Sequence, residues 1–149
     1  MLVFRIALAK YSDILKASGI VARWNPVDVG IIYTASSRSL ACLENIVNRD
    51  KQGLLQPFML ITINYPDGIK TQTIKLTNLP ADWKDYDKIN ITQDIGEQWI
   101  TENRSAILRI PSSIIEEEAN YLINPKHEDF KRIKIVKTQP FIFDTRIKK

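Results

Sequence analysis

Ile31-Ile32-Tyr33-Thr34-Ala35-Ser36-Ser37, with Leu40-Ala41-Cys42-Leu43-Glu44 two residues further on, is a strand that gives way directly to a helix. Val29 to Tyr33 is rich in β-branched and aromatic residues and follows Pro26 and Asp28, which predicts a strand there. Ser36 or Ser37 can then cap a helix running to about Asn48, because a serine oxygen accepts a hydrogen bond from the free amides of a first helical turn. Leu40, Leu43 and Val47 recur at the spacing of a buried stripe, and Glu44 lies four residues after Leu40 and three before Val47, on the same side. A carboxylate in that position has to be paired or solvated by a cleft, since burying it alone is costly.

Just upstream stands the loop Arg23-Trp24-Asn25-Pro26. The planar fork of an arginine can grip a phosphate or carboxylate through two hydrogen bonds, although a surface ion pair is the commoner use of a lone loop arginine. Tyr33 ends the predicted strand, where its ring offers a stacking surface for a nucleobase or nicotinamide, or simply fills the core with its hydroxyl satisfied. Arginine, tyrosine and carboxylate brought toward one place read as an anion-binding cleft with a carboxylate inside it.

The rest of the chain supplies the frame. Leu2 to Leu8 reads as a first strand, and Pro57 to Asn64 as another, turned by Tyr65-Pro66-Asp67-Gly68 into a hairpin partner over Lys70 to Leu76. Asn78 to Asp87 is a charged loop, Thr92 to Glu102 has helical spacing, and Ala106 to Ile110 is a strand that Pro111 ends. Ile133 to Val136 and Phe141 to Phe143 are the last two candidate strands, so the balance is α+β with more strand than helix. Ser112 and Ser113 follow Pro111 at a strand end, a place that commonly faces a cleft, though from local sequence alone ordinary turn chemistry is the favoured reading of such serines. Glu116 to Glu118 read as a solvated turn, Asn124-Pro125 as a turn start, and His127, the only histidine, as a structural loop residue.

Composition removes whole classes. At 149 residues, 44% hydrophobic and 26% charged, the chain fits one globular domain with a single core. Its formal net charge of +4, from 21 Lys and Arg against 17 Asp and Glu, mildly favours anionic ligands. Part of that excess lies near the end, in Lys131, Arg132, Lys134, Lys137, Arg146, Lys148 and Lys149, and reads as solvated surface. Stacking aromatics do not interleave with these charges, so direct nucleic-acid binding is not expected. One cysteine, Cys42, and one histidine rule out an internal disulfide and a Cys/His metal site, so no metal is expected. Arg5 and Lys10 interrupt any signal-peptide core, and apolar runs such as Phe58 to Ile61 are too short to cross a bilayer, which leaves a cytoplasmic protein as the expectation. A serine-hydrolase elbow, a Walker loop and a dinucleotide glycine fingerprint are all missing. With only five glycines, side chains rather than backbone would have to hold a pyrophosphate.

Taken in order, Phe4-Arg5, Arg23-Trp24-Asn25, Ile32 to Ser37, Leu40 to Glu44, Leu108-Arg109-Ile110-Pro111-Ser112 and the run Glu118 to His127 resemble the RES-domain family, the toxins of RES–Xre toxin–antitoxin modules. None of these pieces is specific alone; the ordered set is. The resemblance implies a single RES domain over 1–149 with an ADP-ribosyltransferase-like split β-sheet core and a few flanking helices. It implies NAD as substrate, degraded by hydrolysis or phosphorolysis at the nicotinamide–ribose bond, or used to transfer ADP-ribose to a protein. Water, inorganic phosphate and a protein side chain all stay open as acceptor. Carried over residue by residue, Arg23, Glu44 and Ser112 would be the catalytic set, and Arg5, Arg23, Tyr33 and Ser112 would line the NAD pocket. A cognate Xre-like antitoxin would be the protein partner. The chain departs from the family at Val21-Ala22, where a glycine pair usually precedes the Arg-Trp-Asn. An inactive binding module is the reading from a different class.

Overall fold

The computed structural model describes residues 1–148, and Lys149 lies outside them. One seven-stranded sheet organises the chain: β1 (Leu2–Leu8), β2 (Ile32–Ala35), β3 (Phe58–Asn64), β4 (Thr71–Thr73), β5 (Ile107–Pro111), β6 (Ala119–Ile123) and β7 (Lys134–Phe141), in the order β4-β5-β6-β2-β1-β3-β7. Two helices, α1 (Arg38–Asn48) and α2 (Ile89–Glu102), complete it with several short 3-10 turns. The class is α+β. The sheet is nearly divided, because β1 and β2 register through the single pair Phe4 and Ala35, whereas β1 pairs with β3 along its whole length. Two half-sheets, β4-β5-β6-β2 and β1-β3-β7, therefore meet at a narrow seam.

Strand alternation assigns residues to faces. One face carries Val3, Ile32, Ile61, Ile107 and Ile123 in a shared core, closed by Leu15, Ala17 and Phe130 from the connecting segments. The other face is covered in two separate parts. Over β1 and β3, Leu40 and Ala41 of α1 pack on Phe4, Ile6, Phe58 and Leu60. Over β5 and β6, Trp24, Trp83 and Trp99 pack on Leu108, Ile110 and Leu122. The two parts of this covered face lie on opposite sides of the seam, and Tyr33 and Ala35 of β2 border it.

Several expectations from sequence change in the folded chain. The strand placed at 29–33 is Ile32–Ala35, because the Asn25 amide donates to the carbonyls of Ile20, Pro26 and Val29 and holds that segment as a turn. The 70–76 segment does not pair with β3, which is already flanked by β1 and β7; its three strand residues instead lie parallel to β5 at the far edge. The two final strands are one, since Pro140 lies on the edge strand β7, where its missing N–H interrupts no second ladder. Read only as a run without a fold, Ala119–Ile123 is β6, buried along its whole length. On α1 the stripe stops short: Leu40 is buried, Leu43 half-buried and Val47 exposed. Of the basic residues near the end, Lys131, Arg132, Lys134, Lys137 and Arg146 are exposed and Lys148 is half-buried. Among the described residues no helix is long and apolar enough to cross a membrane.

Candidate functional site

Glu44 is carried to the seam by α1. The helix starts where Ser37 Oγ accepts a hydrogen bond from the Leu40 amide at 3.1 Å, and seven residues later Glu44 faces the ends of β5 and β6. Its Oε1 accepts from Asn120 Nδ2 at 2.7 Å and from Ser112 Oγ at 3.3 Å. Among the described residues nothing donates to its other oxygen, Oε2. Ser112 is fully buried and held on three sides: its own amide donates to the Glu118 carbonyl, while Oγ accepts from the amides of Ile114 and Ile115. Its neighbour Ser113, half-buried, takes no part in this. Asn120 is 9% exposed, and its Oδ1 is buried without a partner among the described residues.

Arg23 is presented from the other side of the seam by a loop fastened to α2. Thr92 Oγ1 donates to the Arg23 carbonyl and Gln93 Nε2, from the next residue of the helix, to that of Ala22. Gly96, one turn further, lets the Trp24 carbonyl come so close that an added Cβ would stand 1.7 Å from it. The Arg23 guanidinium donates through Nη1 to the carbonyls of Trp83 and Lys84 and lies 5.9 Å from the centre of the Trp83 ring. Its Nε and Nη2 donate to no group among the described residues. Val21 and Ala22 cause no strain here: the left-handed backbone of this segment falls at Gly19 and Asp28, with φ of 72° and 66°.

Tyr33 joins the two sides. Its hydroxyl accepts from the Trp24 amide at 3.1 Å and donates to Asn25 Oδ1 at 2.6 Å, so β2 holds the Arg-Trp-Asn turn directly. Burial pushes the Tyr33 phenol well above the usual range; the Trp24 amide and the Arg23 charge draw it partly down, and the Glu44 carboxylate adds to the rise. Tyr33 thus lies within electrostatic reach of both Arg23 and Glu44.

Arg5 lies elsewhere. On β1 it alternates with Phe4 and Ile6, which face α1, so it shares the opposite face with Val3 and Ala7. There it donates to the Lys16 carbonyl at 3.3 Å, and burial lowers its pKa. The structure brings Glu44 and Ser112 into contact, places Arg23 and Tyr33 along the same seam, and leaves Arg5 across the sheet. His127 caps the turn Glu128–Arg132, its Nδ1 accepting from the Asp129 amide.

Sequence reading missed Asn120, the Trp83-Lys84 carbonyls and the α2 residues under Arg23. Asn120 stood within a run already singled out, and a polar residue between Ala119 and Tyr121 on a central strand was the available signal. The other two arise from segments about 60 and 70 residues from Arg23, and no local pattern announces them.

A split α+β sheet of this kind matches a solved fold. The structure of the M. tuberculosis MbcT-MbcA toxin–antitoxin complex aligns with a TM-score of 0.75 over 95% of this chain and 84% of that one, at 16% identity. A RES domain family model matches residues 3–144, and the chain belongs to that family. Among similar proteins are the "Prs ADP-ribosylating toxin" of Sphingobium sp. (strain YBL2), 41% identical over 84% of this chain and 79% of that one. "Toxin Res" of Photorhabdus laumondii is 33% identical over 100% of this chain and 98% of its own.

Proposed function

We propose that this chain is the toxin of a bacterial toxin–antitoxin module and that it cleaves the nicotinamide–ribose bond of NAD. The observation that carries this reading is the Glu44 carboxylate, held through Oε1 by Asn120 and Ser112 with Oε2 left over, and sharing electrostatic reach of Tyr33 with Arg23. Membership of the RES domain family and the toxin names of the relatives support it.

The chemistry follows from charge. Breaking the bond between the ribose C1′ and the nicotinamide nitrogen sends the electron pair to the pyridinium ring, which leaves neutral, and the sugar becomes cation-like. A carboxylate beside the ribose stabilises that positive charge or holds the ribose hydroxyls. Arg23 neutralises the pyrophosphate with the N–H groups that Trp83 and Lys84 do not use. Tyr33, held neutral by burial, supports the nicotinamide, and the Ser112 hydroxyl orients ribose or phosphate. An acceptor oxygen then bonds to C1′ and releases its proton to solvent. Water gives hydrolysis and inorganic phosphate gives phosphorolysis. A cognate Xre-like antitoxin that covers the seam would block all of these.

ADP-ribosyl transfer to a protein is the second reading, favoured by the name of the relative from Sphingobium. Incubating the purified chain with NAD labelled in its adenosine half, with and without inorganic phosphate, separates the routes. Free nicotinamide with soluble label indicates hydrolysis, or phosphorolysis where phosphate is required, and label on a macromolecule indicates transfer. Glu44→Ala should lower turnover by at least about 100-fold with the melting temperature kept. A fully active Glu44→Ala would remove Glu44 from the site, and a wild type that neither consumes NAD nor transfers label would leave a binding module.

A further inference from the structure

We infer that Asn120 is a positioning residue for Glu44, an inference that rests on the reading of Glu44 as the carboxylate facing the ribose. Asn120 is on β6 in the register position between Ala35 of β2 and Ile110 of β5, on the covered face of the sheet. Its strand neighbours on that face are apolar, and Leu122 is wholly buried. An aliphatic side chain is the ordinary occupant of such a slot.

The amide has one orientation. Ser112 Oγ already donates to Glu44 Oε1, so the group 2.7 Å from the same oxygen has to be the donor end, Nδ2, because two acceptors at that distance would repel. Oδ1 is then turned inward, buried and without a partner among the described residues. A polar side chain kept for the sake of the fold would have both ends satisfied. Asn120 is satisfied only where it meets the carboxylate.

Two consequences follow for Glu44. One oxygen is pinned by two donors, Asn120 on β6 and Ser112 just past the end of β5, which removes rotation about the last side-chain bond. The other oxygen is left as the one presented to the substrate. Loss of Asn120 leaves only the longer Ser112 bond, and the carboxylate swings while the Arg23 side of the seam is untouched.

The test measures NAD turnover, or label transfer if that is what the wild type performs, for Asn120→Ala, which loses the donor, and for the isosteric Asn120→Asp, which keeps the shape and sets a second carboxyl group against Glu44. Expected in both is a kcat lowered about 10- to 100-fold, the range for a misplaced catalytic group, with KM for NAD within about twofold. Asn120→Ser, which retains a donor, should recover part of the loss. Melting curves report folding, so whichever of Asn120→Ala and Asn120→Asp stays folded carries the kcat comparison. A wild-type kcat in either folded variant overturns the inference alone. Equal losses in kcat and stability, with KM raised, make Asn120 structural and overturn it as well. A wild type inactive in both assays overturns the underlying reading, and the inference with it.

Discussion

At residue scale, Arg23 shows how the fold fixes a side chain proposed to hold an anion. Nη1 donates to two carbonyls of the 83–84 segment, and the guanidinium stands over the Trp83 ring, so the group is aimed before any anion arrives. A lysine keeps the charge but has neither the planar fork nor the stacking face. Arg23→Lys is therefore expected to raise KM for NAD about tenfold, the equivalent of about 1.4 kcal/mol of binding, and to change kcat much less. Steady-state kinetics over a range of NAD concentrations reads this directly. An unchanged KM would mean that the pyrophosphate is held by other groups. Glu44 differs in kind, since its partners fix its direction and leave its second oxygen without a donor among the described residues.

At the scale of elements, α2 is the platform on which the Arg23 loop rests, and Gly96 is its tightest point. A methyl there would stand 1.7 Å from the Trp24 carbonyl oxygen, which is backbone and cannot rotate away. Gly96→Ala should destabilise the fold by about 3 kcal/mol or more, or displace the loop. Urea melts measure the first outcome, and a KM for NAD raised more than by Arg23→Lys reveals the second; wild-type values in both would show that the loop packs differently. This dependence also explains what sequence could reveal. β1 and β3 were legible as runs rich in β-branched and aromatic residues, α1 by its Ser37 cap and α2 by its helical spacing. β6 was not, because a central strand buried on both faces shows no alternation, and β4 was legible as a strand but not in its pairing, because its parallel partner lies more than thirty residues away. Arg23, Tyr33, Glu44 and Ser112 were legible as an ordered set resembling a family. Asn120 and the α2 contacts depend on strand register and helix docking, which no window of sequence contains.

At the scale of the whole molecule, two phenols link the fold to alkaline pH. Tyr33 is pushed well above the usual range chiefly by burial, and Tyr65 is pushed up to about 12 by burial first and by Tyr121 next. In the unfolded chain both lose their protons near pH ~10. The folded state holds more protons than the unfolded one above that point, so stability is fully present below pH ~10 and falls as pH rises toward 12. With both phenols involved, the limiting slope is about 2.7 kcal/mol per pH unit. Net charge does not mimic this at its onset, because the sequence pI is about 9.2 and self-repulsion is small there. Urea midpoints from pH 8 to 11.5 should stay level and then decline, and Tyr65→Phe should flatten the decline relative to its own starting value. Phenolate absorbance near 295 nm should include a component that rises together with loss of helix signal. Complete ionisation of all tyrosines near pH 10 in a chain that is still folded would show that neither Tyr33 nor Tyr65 is shielded, and that the seam is open to water at Tyr33.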